Sequence, residues 1–151
     1  MARLVIWVPT NRWDSRLRYI HVDGWNELVA ANRKGAKVGA RVERENVIHV
    51  AQWARVAMRK AKWEPMTRRT AKPCRVTLTF VERDRRRDVG NIHGGSKYAL
   101  DGLTARHPHG AGAIYDDSQR WLPEVEYRVE VVSESHREPG IEITIETLEE
   151  E

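Results

Sequence analysis

The hydrophobic pattern of this chain changes its period once, and that change limits the fold more than any other feature. From about Arg41 to Trp63, apolar residues recur at spacings of three and four, which predicts an amphipathic helix. From Arg75 to Val81, apolar and polar residues alternate, which predicts a half-buried strand. Strands interleaved with helices favour a mixed sheet with helices packed on it. We therefore predict an α/β (α+β) fold.

Shorter patterns complete the prediction of a single small domain with two or three helices. A chain of 151 residues with 40% hydrophobic content suits one domain, which we place at residues 1–148, with 149–151 as an acidic tail. The remaining predicted elements are a strand from Arg3 to Val8, a helix from Trp25 to Ala31, a helix from Lys97 to Ala105 capped by Ser96, and strands at Glu126 to Val132 and Ile141 to Leu148. The last two strands are expected to form a C-terminal β-hairpin through Pro139 and Gly140.

Charge is distributed unevenly along the chain. Residues 124–151 hold ten acids and two arginines, a net charge of −8, so residues 1–123 carry +12 of a total of +4. The basic part is where nucleic acid would bind. The sequence has neither an apolar run of membrane-spanning length nor a secretory signal, so we expect a cytoplasmic protein without membrane contact. Cys74 has no cysteine partner and is expected to be a small core residue.

Residues from Arg83 to Trp121 have the composition of a catalytic segment. Asp88 and the pair Asp116 and Asp117 supply hard oxygens that bind divalent cations. Four arginines within five positions, which can neutralise phosphates, are Arg83, Arg85, Arg86 and Arg87. The combination indicates a metal-dependent enzyme acting on a polyanion, and the alternative is a loop of solvated charges.

Further basic residues extend the predicted nucleic-acid surface. Arg12 and Arg16 lie in a segment with Trp13 and Tyr19, which either stack on bases or anchor the loop to the core. Arg68 and Arg69 follow the long helix in a loop. We predict that these arginines contact DNA.

The order of these motifs resembles the RusA-type Holliday-junction resolvases, small homodimeric endonucleases that cut four-way DNA junctions with magnesium. The resemblance covers most of the chain: a strand ending in Pro before Asn11 and Arg12, the arginine run into Asp88-x-x-Asn91, Lys97-x-x-x-Asp101-x-Leu103, and Asp116-Asp117-x-Gln119. It implies Mg²⁺ as the cofactor, branched DNA and a second copy of the chain as partners, and no small-molecule cofactor. Small resolvases of this type are often encoded by phages and prophages.

The resemblance also implies roles for individual residues. Asp88 and Asp117 match metal-binding aspartates, Lys97 matches the essential lysine, and Asn91 matches the asparagine after the acidic pair. The alternative role of Lys97 is an i,i+4 ion pair with Asp101, and Asp101 is a supporting residue for which a role in helix structure is favoured over metal binding. In the proposed chemistry the bound metal activates water and stabilises the phosphorane, while Lys97 neutralises the developing charge.

One position departs from the family pattern. The family usually has Asp-x-Asp-Asn, and here Gly90 occupies the place of the second aspartate. Three extra residues before Lys97 bring His93 near this place, and a histidine ligand would favour Mn²⁺, although a solvated histidine is the alternative. Asp84 and Asp116 are further candidates for the missing ligand.

Three other functions compete with a resolvase that makes paired symmetric nicks. The first is a protein of the same fold that binds branched DNA with weak or no cleavage because of Gly90. The second is a zinc-stabilised module using His93, His107 and His109, although their spacing fits no zinc motif and Cys74 is the single thiolate. The third is a small RNA-binding domain, which lacks the paired aromatic residues of an RNA-recognition strand.

Overall fold

The computed structural model of the protein describes residues 2–14, 19–132 and 138–148. Within these ranges the chain forms a four-stranded mixed sheet, a two-stranded sheet and helices, which confirms the predicted α+β fold. The elements are β1 (Arg3–Pro9), β2 (Arg12–Asp14), β3 (Tyr19–His21), α1 (Trp25–Lys34), α2 (Ala36–Ala61), β4 (Cys74–Glu82), α3 (Val89–Gly94), α4 (Ser96–Leu103), β5 (Glu124–Val131) and β6 (Gly140–Thr147). The predicted acidic tail at 149–151 lies outside the described residues.

The main sheet has the strand order β1-β6-β4-β5, and this order shows that the predicted C-terminal hairpin is wrong. β5 pairs with β4 in parallel, whereas β6 pairs with β4 and β1 in antiparallel. β4 therefore lies between the last two strands. Its end is flanked by both of them, because Glu82 is opposite Val131 and Val81 is opposite Gly140. Because β4 separates β5 from β6, Pro139 and Gly140 do not make a tight turn between two paired strands.

β4 is a central strand, and it is more buried than the predicted half-buried strand. Val76, Leu78 and Phe80 lie in the core, as their alternation predicts. Thr79 and Val81 on the other face are also buried, as is Glu82 at the end of the strand. The strand thus ends inside the protein, and the arginine run begins directly after it.

Helices α2 and α4 cover the apolar face of the sheet. Val50, Ala51 and Ala54 of α2 join Leu103 of α4 and the strand residues in one core cluster. The two helices approach closely at Gly102, where an added Cβ would lie 2.8 Å from the Cβ of Val50. This close packing fixes the orientation of α4, and therefore the position of Asp101 beside Gly102.

Two parts of the structure were not predicted. The segment after β1 forms β2 and β3, which pair with each other, where the sequence indicated a loop. The short helix α3 contains Gly90 and Gly94, two residues with poor helix propensity, so its sequence gives no helical signal. Helix α1 extends further than predicted, to Lys34, and α4 begins at Ser96 itself.

Candidate metal and nucleic-acid site

Asp88 lies at the start of α3, six residues after the end of β4. It is the N-cap residue of this helix, and its carbonyl oxygen accepts a hydrogen bond of 3.0 Å from the amide of Ile92. The carboxylate makes no capping hydrogen bond, and the residue is exposed. Asp88 is therefore available to a ligand from solvent.

Gly90 and Asn91 follow Asp88 and have different surroundings. A Cβ built on Gly90 would meet nothing within 4 Å, so a larger side chain fits at this position. Asn91 faces the protein, and its Oδ1 accepts a hydrogen bond of 2.6 Å from the amide of Asn26 in the first turn of α1. Gly24 lies against Asn91 and Arg87, and an added Cβ there would overlap the carbonyl oxygen of Asn91. The structure thus gives Asn91 a role in joining α3 to α1.

Lys97 and Asp101 lie one turn apart on α4, but the ion pair of Lys97 is with another element. Its Nζ is 3.1 Å from Oε1 of Glu43 on α2, and both side chains are partly exposed. Asp101 is half-buried, and burial raises its pKa. The negative charge of Asp117 raises this pKa further, while the positive charges of His107 and Lys97 oppose the increase.

The loop that carries Asp116 and Asp117 is held to the end of α4. Ile114 is fully buried and forms an isolated β-bridge with Thr104. Its carbonyl oxygen accepts a hydrogen bond of 2.9 Å from the amide of Ala105. Asp116 lies 3.9 Å from Arg106, a weak ion pair, and Asp117 is exposed. The carboxylate of Asp117 therefore projects from a well-anchored loop.

The charges of Asp117 and Lys97 act on the pKa of Asp101 in opposite directions, because Asp117 raises it and Lys97 lowers it. Carboxylates such as Asp101 and Asp117 suit a hard divalent cation, which keeps several waters as ligands. Among the described residues, neither Asp88 nor Asp117 belongs to a group of three possible ligands within 4.8 Å of one another. A cation bound at either residue would therefore have few protein ligands, and water and substrate phosphate would complete its shell.

His93 packs between aromatic rings. Its ring centroid lies 6.2 Å from that of Phe80 and 5.4 Å from that of Tyr127. Among the described residues it joins no group of three possible metal ligands. Through these ring contacts, His93 packs α3 against strands β4 and β5 of the sheet.

The described part of the chain does not assemble the ligands of the alternative zinc module either. His107 and His109 lie close together, with ring centroids 5.9 Å apart, but His93 packs elsewhere. Cys74 is fully buried, which confirms it as a core residue, and burial raises the pKa of its thiol to about 11. A thiol with that pKa is a poor metal ligand at neutral pH.

Several of the predicted DNA-binding arginines are exposed. Arg86 also makes an ion pair of 2.9 Å with Asp84, so this aspartate is held in the basic run. The exposed members of the set are Arg68, Arg69, Arg83, Arg85 and Arg86. Arg16 lies outside the described residues.

Arg87 is buried, unlike these five arginines, so its side chain is not exposed for the predicted contact with DNA. Its side chain is 4% exposed, and its Nη1 lies 2.7 Å from Oε1 of Glu82, the last residue of β4. Burial raises the pKa of Glu82, while the charge of Arg87 lowers it. A buried carboxylate needs such a partner, so Arg87 stabilises the end of the strand.

Arg12 is also committed to an internal partner. Its Nε and Nη2 lie 2.9 and 2.8 Å from the two carboxylate oxygens of Asp23, in a bidentate pair. Asp23 is 1% exposed, and its Oδ2 also accepts a hydrogen bond of 2.8 Å from the side-chain amide of Asn46. The paired guanidinium positions the segment after β1, and this role is different from the predicted phosphate contact.

The sequence analysis missed a buried polar cluster around His21, Asp23 and Glu27. These three place possible ligand atoms within 4.8 Å of one another, and no other described group of three or more acidic, histidine or cysteine side chains does so. Glu27 also accepts a hydrogen bond of 2.9 Å from the amide of Gly24. The spacing His-x-Asp-x-x-x-Glu was the available signal, but it has no specific meaning without the fold.

Charge argues against a metal ion in this cluster. Arg12 already occupies both oxygens of Asp23, and Arg87 Nη2 lies 3.7 Å from Glu27. A divalent cation would have to displace these guanidinium groups or bind beside them, and like charges in a buried site are costly. The cluster is best explained as a buried ion-pair network that links β3, α1 and the arginine run.

Comparison with known proteins adds no assignment, since neither models of protein families nor curated proteins match this chain. Within the described ranges, no helix combines the length and apolarity needed to cross a bilayer. The function must therefore be argued from the residues and their geometry.

Proposed function

We propose that the protein is a metal-dependent endonuclease that cuts Holliday junctions or other branched DNA by paired symmetric nicks in the cytoplasm. The single observation that carries the proposal is that Asp88, Lys97 and Asp117, the residues that the motif order assigns to the chemistry, all have exposed side chains. Carboxylates and a lysine suit phosphodiester hydrolysis, which needs both cation binding and charge neutralisation. The motif order from Asp88 to Gln119 supports the same chemistry.

The side chains would divide the work as follows. Asp88 and Asp117 are exposed and would hold the cation, with Asp101 as a neighbouring carboxylate and Asp116 as a further candidate. When bound, Mg²⁺ supplies an activated water and stabilises charge on the phosphoryl oxygens. Lys97 would exchange its ion pair with Glu43 for a phosphate oxygen, because an exposed ion pair is weak and easily replaced.

The exposed arginines would supply affinity for DNA. Contacts to phosphates position a protein on DNA but carry no sequence information. Arg83, Arg85 and Arg86 follow β4, so they lie in the chain directly before Asp88. Binding through this run would place a DNA backbone next to the proposed catalytic residues.

A homodimer is part of the proposal, because two symmetric cuts need two matched sites. The two edges of the main sheet differ in character. The edge strand β5 alternates charged residues, which discourage pairing, whereas β1 exposes 48% of Val5 and lies beside Trp53 of α2, which is 40% exposed. These two residues line a groove of about 430 Å³. We propose that a second copy of the chain covers this apolar surface.

A second candidate function keeps the fold and the DNA contacts but has weak or no cleavage. It is favoured by Gly90, which leaves no carboxylate at the position where the family has its second aspartate, and by the absence of Asp88 from any three-ligand group in the described residues. DNA binding would then depend on the exposed arginines alone.

A cleavage experiment separates these functions. An end-labelled four-way junction and a matched linear duplex are incubated with the protein and Mg²⁺ or Mn²⁺, and the products are resolved on a denaturing gel. Paired nicks confined to the junction, lost in Asp117→Asn and retained in Glu126→Gln, support the endonuclease. Glu126 is the control because it is an exposed acid on β5. A junction that is bound but uncut with either metal supports the binding protein.

A further inference from the structure

The C-terminal end of α2 and the turn after it form a groove of about 460 Å³. Its floor is apolar and includes Met58, Trp63 and Pro65. Small-molecule and cofactor sites typically have volumes of roughly 300–1,000 Å³, with mostly apolar walls and a few polar groups. The groove therefore has the size and floor of a binding site for one aromatic ring system.

The rim of the groove is basic. Arg55, Arg59 and Lys62 line it, with Glu64 as the acidic residue among the lining side chains. The rim thus carries three positive charges and one negative charge. An apolar floor beneath cations is complementary to a nucleotide, whose base offers an apolar face and whose phosphate is an anion.

Trp63 is held in place by two hydrogen bonds. Lys62 adopts a left-handed conformation with φ of 55° and ends α2, and the amide of Trp63 then donates to the carbonyl oxygen of Met58 at 2.8 Å. The indole N–H donates to the carbonyl oxygen of Ala113 at 3.1 Å. A ring with a fixed orientation loses little entropy when a base stacks on it, so Trp63 is a preorganised platform.

The groove is attached to the loop that leads to the proposed catalytic Asp117. Arg55 donates a hydrogen bond of 3.2 Å to the carbonyl oxygen of Gly110, and the amide of Met66 donates one of 2.8 Å to that of Gly112. Together with the bond from Trp63 to Ala113, these contacts tie the end of α2 to residues 110–113. A strand lying in the groove would therefore be adjacent to the segment that carries Asp117.

We propose that this groove binds one unpaired nucleotide of a DNA strand, with its base against Trp63 and its flanking phosphates on Arg55, Arg59 and Lys62. The inference rests on the DNA-binding part of the proposed function and names a contact that the motifs do not include. Bases within a duplex are stacked on both faces, so only an unpaired or extruded base can use such a platform. The ligand is thus single-stranded or opened DNA.

The test measures binding without metal, so it does not depend on cleavage. The probe is a short fluorescein-labelled oligo(dT), compared with a labelled linear duplex by fluorescence anisotropy at several salt concentrations. Trp63→Leu should weaken oligo(dT) binding by about tenfold, the effect of losing one base stack, while Tyr127→Leu should not. Tyr127 is the matched control because it is an aromatic residue, 40% exposed, on the edge strand β5 and does not line the groove.

A second variant tests the rim and leaves Trp63 in place, so it remains informative if Trp63→Leu does not fold. Arg59→Gln with Lys62→Asn removes two charges, and Asn tolerates the left-handed conformation at position 62. The slope of log Kd against log salt should fall by about 1.4, at about 0.7 for each lost contact to a single strand. Arg33→Gln with Lys37→Gln removes the same charge from exposed positions and should leave the slope unchanged.

The outcomes are distinct. Selective loss of oligo(dT) binding in both groove variants supports the inference, even if the protein does not cut junctions. Equal weakening of oligo(dT) and duplex binding would show a general phosphate-binding surface and overturn the inference. Wild-type protein that does not bind oligo(dT), or groove variants that bind it normally, would also overturn it while leaving the cleavage test untouched.

Discussion

The side-chain oxygen of Asn91 lies 2.6 Å from the amide nitrogen of Asn26 and accepts its hydrogen bond. The residue that matches the asparagine of the nuclease motif thus satisfies a free amide in the first turn of α1. Helix α1 begins after Gly24, which makes no side-chain cap. Asn91 supplies from another segment the acceptor that Ser, Thr, Asp or Asn usually supplies at the N-cap.

The first prediction is that Asn91 contributes mainly to stability. Asn91→Ala should lower the free energy of unfolding by about 1 kcal/mol, the usual effect of removing an N-terminal cap. Asn91→Asp keeps the acceptor oxygen and should retain most of this stability. Urea denaturation followed by circular dichroism measures both. Equal stability of the Ala variant and the wild type, together with loss of junction cleavage, would assign Asn91 to the chemistry instead.

The second prediction concerns the buried ion pair of Arg87 with Glu82. Arg87→Met should lower the free energy of unfolding by about 3–5 kcal/mol, because it leaves a buried carboxylate without its partner. The exposed Arg85→Met should change it by less than about 0.5 kcal/mol. Denaturant titration of the two variants provides the comparison. A small effect at Arg87 would mean that Glu82 is protonated or solvated in the folded protein.

The double variant provides a further check on this pair. Glu82→Gln removes the buried charge together with its need for a partner. Arg87→Met should therefore be less damaging in the Glu82→Gln background than in the wild type, and a double-mutant cycle measures this coupling. Additive effects would show that the two side chains act separately.

Local sequence patterns predicted most of the strands and helices, whereas the pairing between strands far apart in the sequence was predicted poorly. The alternation at Val76, Leu78 and Phe80 identified β4 within a residue or two at each end, because period-two burial is a local property. The hairpin failed because a turn signal at Pro139 and Gly140 does not reveal that β4 enters between β5 and β6. Strand order depends on contacts between residues far apart in sequence.

The same distinction holds for the candidate site. The exposure of Asp88 and Asp117 could be predicted from the sequence, since carboxylates in loops are usually solvated. The four arginines of the run look equivalent in sequence, yet Arg87 is buried, because the acid that it pairs with lies five residues earlier on an interior strand. Which arginine turns inward depends on where β4 ends, and composition does not contain that information.

The third prediction is a pH dependence due to Asp101. Burial and the nearby Asp117 raise its pKa above the ordinary value of 3.8, so the folded protein binds a proton more readily than the unfolded chain does. Ionising Asp101 then reduces stability as pH rises from 3.8 through the raised pKa, and the loss remains at higher pH. Asp101→Asn should therefore be more stable than wild type at neutral pH without metal.

Thermal denaturation between acidic and neutral pH measures this difference. It should shrink towards zero at pH below 3.8, where Asp101 is protonated in both states of the wild type. Asp116→Asn is the control, because Asp116 pairs with Arg106 and should not gain stability on neutralisation. Mg²⁺ should stabilise the wild type more than Asp101→Asn if this carboxylate contributes to the cation site. If Asp101→Asn is less stable than the wild type at neutral pH, the raised pKa of Asp101 is contradicted.

The last prediction is a gain of function at Gly90. A Cβ at this position meets nothing within 4 Å, and the residue lies in the first turn of α3, two residues from the exposed Asp88. A carboxylate here would give the chain the second aspartate found in the resolvase motif that it resembles, and negative charge is favourable near a helix N-terminus. Gly90→Asp should therefore raise metal-dependent junction cleavage by about tenfold, within the roughly 10–100-fold range by which changes around a metal site alter activity. Gly90→Asn has the same shape without the charge and should not raise cleavage. If both variants cut as the wild type does, the missing aspartate does not limit the reaction, and Asp101 is then the carboxylate to test in its place.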